Sequence, residues 1–385
     1  MAAFPSQSCS FDPAPFVKNH DADRQQGGLA GLSHFSKATV EMQAREIERA
    51  RQALLRAPAS EPALREVVHE LWSLARVVRK DGRFSTELHK PDSGLRASIQ
   101  AACDIIKDVR PAFSNALAAR FAEALAIIGY RDLGLFELLS ERAQEARREI
   151  SGKQLCRFLW AMVQLNVTEI PRLTEALIKA ARSSARVDSL DPETRARIGL
   201  SLAFLKEGSA RAVLGSHFLD GHHCSLKRWG EMYRALILDK QILPFEDFDK
   251  HRESKREALW ALTAREHMSS SFERQVGSWL ENSLKSRGET FSICRQENVA
   301  GLFVDLMLRL PDYNRTIALE VDGMQFHFTW GPDGGVRRGI DILKRRVLEA
   351  HEVEVSNITS NDWRTGLGPS LLASLIEKKS DTTPA

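Results

Sequence analysis

From about Ser36 to His251, apolar positions recur at spacings of three and four with polar residues between them, which predicts a long series of amphipathic helices. After about Phe272 the period changes. Leu302-Phe-Val-Asp-Leu-Met-Leu308 and Thr316-Ile-Ala-Leu-Glu-Val-Asp322 are short apolar runs of strand type, and His351-Glu-Val-Glu-Val-Ser-Asn-Ile358 alternates as a further strand. Between them, Val336, Ile340, Leu343, Val347 and Ala350 fall at helical spacing, with Arg337, Asp341, Lys344 and Arg345 on the other faces of the same helix. A last amphipathic helix follows Asn361-Asp-Trp363 and runs to about Lys378. The order helix, strand, strand, strand, helix, strand, helix describes a small α/β domain.

The helical region contains a degenerate repeat. Arg120-Phe-Ala-Glu-Ala-Leu-Ala-Ile-Ile-Gly129 aligns with Arg157-Phe-Leu-Trp-Ala-Met-Val-Gln-Leu-Asn166 and with Arg197-Ile-Gly-Leu-Ser-Leu-Ala-Phe-Leu-Lys206, at offsets of 37 and 40 residues. Leu71-Trp-Ser-Leu-Ala-Arg76 resembles Leu159-Trp-Ala-Met-Val-Gln164 and marks an earlier copy. Offsets of this size with two helices per unit point to an α-solenoid. Leu173-Thr-Glu-Ala-Leu-Ile178 supplies a second helix, with Pro171 where it should start. Trp72, Trp160 and Phe204 read as packing between stacked helices. Arg120, Arg157 and Arg197 recur at one repeat position, where they either line a phosphate-binding surface or cap and solvate helix starts.

Composition narrows the class. At 385 residues, with 54 basic and 51 acidic side chains and a net charge of +3, the chain is long enough for two or three domains, and any nucleic-acid footprint must be a local patch. The five cysteines are scattered and form no Cys-x-x-Cys pair, so they read as free thiols in a reducing compartment. Gly221-His-His-Cys224 lacks a second ligand pair and reads as a solvated loop. Neither a membrane-length apolar run nor a signal-peptide core is present. The opening residues are rich in Ser, Pro and Gly, and Lys18 and Arg24 are balanced by acids, unlike an organelle transit peptide. The sequence therefore divides into a flexible polar tail (1–35), helical repeats (36–251), a linker (252–270), the α/β domain (271–379) and a disordered C-terminus (380–385).

The candidate chemistry lies in the α/β domain. Glu320 and Asp322 are two residues apart on one strand and so share a face, and Gly323 lets the chain turn directly after them. Asp305 sits in the middle of the neighbouring apolar run, where an ionised carboxylate is costly unless paired. Three acids from adjacent strands can hold a divalent metal or receive the basic helix.

Residues Ile317-Ala-Leu-Glu-Val-Asp-Gly323, His327-Phe328, Leu343-Lys-Arg-Arg346, Leu348-Glu-Ala350, Ile358 and Trp363, in this order from Phe272 to about Lys378, resemble the RAP domain. That domain is named for RNA binding and abundance in apicomplexans, and occurs at the C-terminus of FASTK-type mitochondrial and octotricopeptide-repeat chloroplast proteins. The resemblance implies a fold like PD-(D/E)XK and very-short-patch-repair nucleases, with Asp305, Glu320 and Asp322 where those enzymes carry metal-binding acids. It also implies a single-stranded RNA partner, bound by Arg120, Arg157 and Arg197 of the repeats and by His327, Arg337, Lys344, Arg345 and Arg346. A mitochondrial, chloroplast or bacterial-effector setting is compatible with this, as are protein partners on the solenoid. If the domain cuts, Asp305 and Glu320 would hold Mg²⁺ or Mn²⁺, with Asp322 and Lys344 assisting; no other cofactor is implied.

The sequence departs from the family at several places. Gly323-Met-Gln-Phe-His-Phe328 is one residue longer than the usual turn and lacks its proline. The usual Gly before the last strand is Glu352, and a common Lys in that strand is Glu354. Asp322 stands where the nucleases often place a lysine, which favours binding over cleavage.

Overall fold

The computed structural model describes residues 25–57, 61–80, 87–110, 113–145, 150–182, 190–205, 210, 271–299, 302–322 and 327–377. The chain is mostly helical, with a four-stranded mixed sheet toward its C-terminal side. The described helices of the first part are α1 (Gln25–Arg56), α2 (Glu61–Lys80), α3 (Gly94–Val109), α4 (Asn115–Ile128), α5 (Leu133–Glu145), α6 (Gly152–Gln164), α7 (Pro171–Ala181) and α8 (Pro192–Leu205). Their ends follow from local chemistry. Ser93, Ser114 and Ser151 cap α3, α4 and α6 by accepting from the third backbone amide, and Gln154 returns the bond at α6. Pro171 opens α7, as its position predicts. Gly129 ends α4 in the left-handed region, at φ +76°.

These helices pack in two layers. α2, α4, α6 and α8 follow one another in one layer, while α1, α3, α5 and α7 form the other. The aligned copies beginning at Arg120, Arg157 and Arg197 thus occupy equivalent places in a single layer, and the Leu71 copy falls on α2 of that same layer. Leu71, Phe121, Leu125, Phe158, Leu159, Ile198 and Leu202 contribute to the continuous core between the layers. No helix among the described residues is long and apolar enough to cross a membrane.

The second part comprises α9 (Ser271–Ser286), β1 (Ser292–Val299), β2 (Leu302–Leu310), β3 (Arg315–Asp322), α10 (Gly339–Glu349), β4 (Glu354–Thr359), α11 (Ser360–Arg364) and α12 (Leu367–Glu377). Strand order is β1-β2-β3-β4; the first two pairings are antiparallel, and β3 pairs in parallel with β4 after the crossover through α10. The alternation of β3 sorts its side chains. Ile317, Leu319 and Val321 pack with Leu306, Leu308 and Ile358 against α9 and α12, whereas Ala318 faces Leu348 of α10. Leu343 and Val347 of α10 belong instead to the core of the helical layers, so α10 is wedged between the sheet and the helices.

Some expectations from the sequence need correction. Helix α1 begins at Gln25, inside the stretch read as a flexible tail ending at residue 35; the Gly27-Gly28 pair disfavours a helix without forbidding one. Helix α10 begins at Gly339 and not at Val336, because a bridge between Phe328 and Arg337 keeps the preceding segment extended. The last strand starts at Glu354, since His351 and Glu352 form a turn in which Glu352 adopts φ +61°. That left-handed conformation is one that glycine adopts without strain and other residues seldom do. Gly221-His-His-Cys224, the 252–270 linker, Gly323 to Phe326, and the repeat region past Ala210 lie outside the described residues. Among the described residues Cys103, Cys156 and Cys294 form no disulfide; Cys9 and Cys224 lie outside the described residues.

The two parts meet at the C-terminal ends of α4, α6 and α8, where helices leave carbonyls without intrahelical donors. Trp330 is only 3% exposed, stands edge-on to Tyr130, and its Nε1 donates to Ile128 O at 2.7 Å. Its backbone continues the seam, with Trp330 N donating to Gly129 O and Arg131 N to Trp330 O. The buried Arg131 guanidinium donates to Leu165 O and Asn166 O after α6, and also to Asp333 O. Arg346 donates to Phe204 O in α8. Conversely, the Asp333 carboxylate accepts from Leu133 N at the start of α5, where a negative charge is favoured. A Cβ at Gly339 would collide with the Val163 carbonyl, so the start of α10 lies directly on the end of α6.

Candidate functional site

The repeat arginines form a ladder across one helical layer. Arg120 of α4 lies over the Trp72 ring of α2, 5.4 Å from its centroid, and Arg197 of α8 lies over Trp160 of α6 at 4.9 Å. Between these rungs, Arg157 of α6 pairs with Glu123 of α4 at 2.9 Å. Each arginine therefore reaches back to the preceding helix of its layer, and its partner occupies one repeat position, three residues after the repeat arginine in α4 and α6. The alternative that these arginines cap helix starts does not hold for α4 and α6, because Ser114 and Ser151 do so. Trp72 and Trp160 are half-buried under their guanidinium lids, while Phe204 is in the core, as packing predicts.

Glu123 shows how much positive charge collects here. Burial raises its carboxyl above the usual range, and the opposing charges acting on it are Arg157, Arg197, Arg79 and Arg120. Four guanidinium groups thus act on this one carboxylate, and Arg157 pairs with it directly.

The acids of the sheet stand close together, and each has a protein donor on at least one oxygen. Asp305 extends the pairing of β2 with β3 beyond Leu306 and Leu319, accepting from Val321 N at 2.8 Å. Gln296, held at φ +51° on β1, donates to its other oxygen at 3.3 Å. Glu320 is 7% exposed and its Oε2 pairs with Lys344 Nζ at 2.5 Å. Asp322 is 1% exposed; its Oδ2 accepts from Arg337 at 2.5 Å and Asn357 at 3.0 Å, and its Oδ1 lies 3.3 Å from His327 Nδ1. The same His327 nitrogen is 3.1 Å from Asp341 Oδ1.

Burial dominates the electrostatics. It raises Asp305, and it pushes Glu320 up to about 7 even though the Lys344 charge pulls the other way. For His327 burial would lower the value, but the Asp341 hydrogen bond and the Asp322 charge outweigh it and raise it. Among the described residues, Glu320 Oε1 and Asp341 Oδ2 are buried without hydrogen-bond partners. They line a recess of about 10 Å³, room for about one water molecule, together with Asp322, Arg337, Lys344 and Asn357.

This arrangement does not fit the Mg²⁺ or Mn²⁺ that Asp305 and Glu320 would hold if the domain cut. Each acid spends an oxygen on a protein donor, three cationic side chains line the recess, and among the described residues no group of three or more His, Cys, Asp or Glu side chains is arranged to hold a metal. The basic candidates are likewise divided. Lys344 and Arg337 are turned to the acids, Arg346 stacks on Phe204 at 4.9 Å, and Arg345 pairs with Glu349 on the exposed side of α10.

Sequence reasoning missed Gln296, Asn357 and Trp330, and gave Asp341 no role. Asp341 carried a signal, being three residues before Lys344 on the same helix. Trp330 carried another, since a large aromatic in a Gly- and Pro-rich loop needs something to bury it. Compared with known proteins, the chain matches no family model and no curated protein.

Proposed function

We propose that the protein binds single-stranded RNA along the arginine-bearing face of an α-solenoid, and that the C-terminal domain is a RAP-type, endonuclease-like module fixed to the helix ends. The observation that carries this reading is the ladder of Arg120, Arg157 and Arg197, at equivalent repeat positions across one helical layer. Regularly spaced guanidinium groups match a phosphate backbone, and aromatic rings beneath them hold their planes in place. In this reading Asp305, Glu320 and Asp322 serve as acceptors that seat α10 and the His327 segment, and cleavage is not part of the activity.

The test is a titration of labelled single-stranded RNA at several salt concentrations. Replacing Arg120, Arg157 and Arg197 together by Gln should weaken binding and reduce the slope of log K against log salt by roughly two, at about 0.7 per phosphate contact. An unchanged slope in a folded variant assigns the ladder to structure and leaves the helical layers as a protein-binding scaffold. Trimmed RNA ends after incubation with Mg²⁺ or Mn²⁺ would overturn the non-cleaving assignment.

A further inference from the structure

Beyond the ladder, between α2 and α4, a cleft of about 360 Å³ opens beside the Trp72–Arg120 rung. Pro62 and Leu117 give it apolar walls over the buried Val68, and Arg65, Glu66, His69 and Arg120 supply its polar groups. Its volume falls within the range of small-molecule sites, roughly 300–1,000 Å³. We propose that this cleft holds one nucleotide: the base lies between the apolar walls with an amino group on the Glu66 carboxylate, and the phosphate meets Arg120. As a step in RNA recognition this rests on the RNA reading above; the chemistry it requires is that of any nucleotide, free or in a strand.

Three features favour this occupant. Arg120 is held by the Trp72 ring, so its charge stands at the rim of the cleft without further ordering. Among the described residues the cation paired with Glu66 is Arg49, with Nε at 3.8 Å, too far for a hydrogen bond, which leaves the carboxylate able to accept from a ligand. A carboxylate only accepts, so it selects bases that present an exocyclic amine, and uracil has none. The exposed His69 ring adds a flat surface on which a base can stack.

The experiment compares short oligocytidylate with oligouridylate, and separately titrates cytidine monophosphate, using the full chain and Glu66→Gln. Oligocytidylate should bind about tenfold more tightly than oligouridylate, and Glu66→Gln, which can donate to the uracil carbonyl, should shrink that ratio to about twofold or less. The Arg157 and Arg197 double variant, which leaves the cleft residues intact, lowers both affinities and so reports on the ladder separately. RNA binding whose base ratio is unaffected by Glu66→Gln overturns the cleft assignment and leaves the RNA reading standing. Cytidine monophosphate binding that Glu66→Gln weakens, with no RNA binding at all, supports the cleft as a free-nucleotide site and removes the RNA reading. Binding of neither ligand overturns both.

Discussion

Replacing Trp330 by alanine tests whether the α/β domain is held to the helical layers by a plug at their C-terminal ends. The ring is 3% exposed and packs edge-on against Tyr130 with centroids 4.8 Å apart. Truncating an aromatic side chain in such a setting costs about 3–5 kcal/mol, part of it from the cavity left behind. The Ile128 carbonyl also loses the Nε1 donor, and an unsatisfied buried acceptor costs about 1–3 kcal/mol, which overlaps with the first figure. Docking should therefore weaken by about 4 kcal/mol, or roughly a thousandfold in the equilibrium between docked and undocked forms. Trp330→Phe keeps most of the packing and loses only the donor, so it should cost about 1–2 kcal/mol. The assay is amide hydrogen exchange at Arg131 and Leu133, whose N–H groups donate to Trp330 O and to Asp333 across the seam. Both should exchange far faster in Trp330→Ala and modestly faster in Trp330→Phe, while amides of β2 and β3 keep their protection. Wild-type exchange at Arg131 and Leu133 in Trp330→Ala would refute the reasoning.

Lys344→Ala should destabilise in a pH-dependent way. A carboxyl raised to about 7 from 4.5 contributes stability at low pH that is lost as pH rises through 7, a change of roughly 3 kcal/mol for Glu320. Removing Lys344 raises that carboxyl further, so urea unfolding should show a small loss near pH 5 and a loss of about 3–5 kcal/mol above pH 8; a pH-independent loss contradicts the pairing. Glu352→Gly should stabilise by about 1 kcal/mol by relieving a left-handed residue, read as a higher urea midpoint with an unchanged slope. Gly339→Ala should destabilise by about 1–3 kcal/mol through the clash with the Val163 carbonyl, whereas in an undocked α10 the same change would gain up to about 1 kcal/mol of helix propensity, so the sign of the shift in a thermal melt decides.

Features with a local period were legible in the sequence. Ile317, Leu319 and Val321 against Ala318, Glu320 and Asp322 gave the two faces of β3, because strand geometry fixes them whatever the neighbours are. The offsets of 37 and 40 likewise placed α4, α6 and α8 in equivalent positions, since each helix must bury the same stripe against the next. Partners were not legible. Nothing in the order of residues says that Arg197 lies on Trp160 while Arg157 meets Glu123, because those contacts depend on how adjacent helices are rotated. The division of labour in Lys344-Arg345-Arg346 was hidden for the same reason, as a helix turns these three toward the sheet acid, the solvent side and the end of α8 respectively. The start of α10 was misplaced because Val336 continues its apolar spacing although the backbone there is tied to Thr329.

The seam around Trp330 also sets an order of events during synthesis. Ile128 and Trp330 are 202 positions apart, so at ~5–20 residues per second the ribosome delivers the indole roughly 10–40 s after the end of α4 is made. Until then Tyr130 and the Ile128 carbonyl, and the Phe204 carbonyl once it is made, face water or whatever else the nascent chain meets. The helical layers must then persist with an open apolar notch, and long-range closure of this kind is slow compared with helix formation. A chaperone that recognises exposed aromatic surface would have its opportunity in this window, and a ribosome stalled between α8 and β3 would present the notch indefinitely.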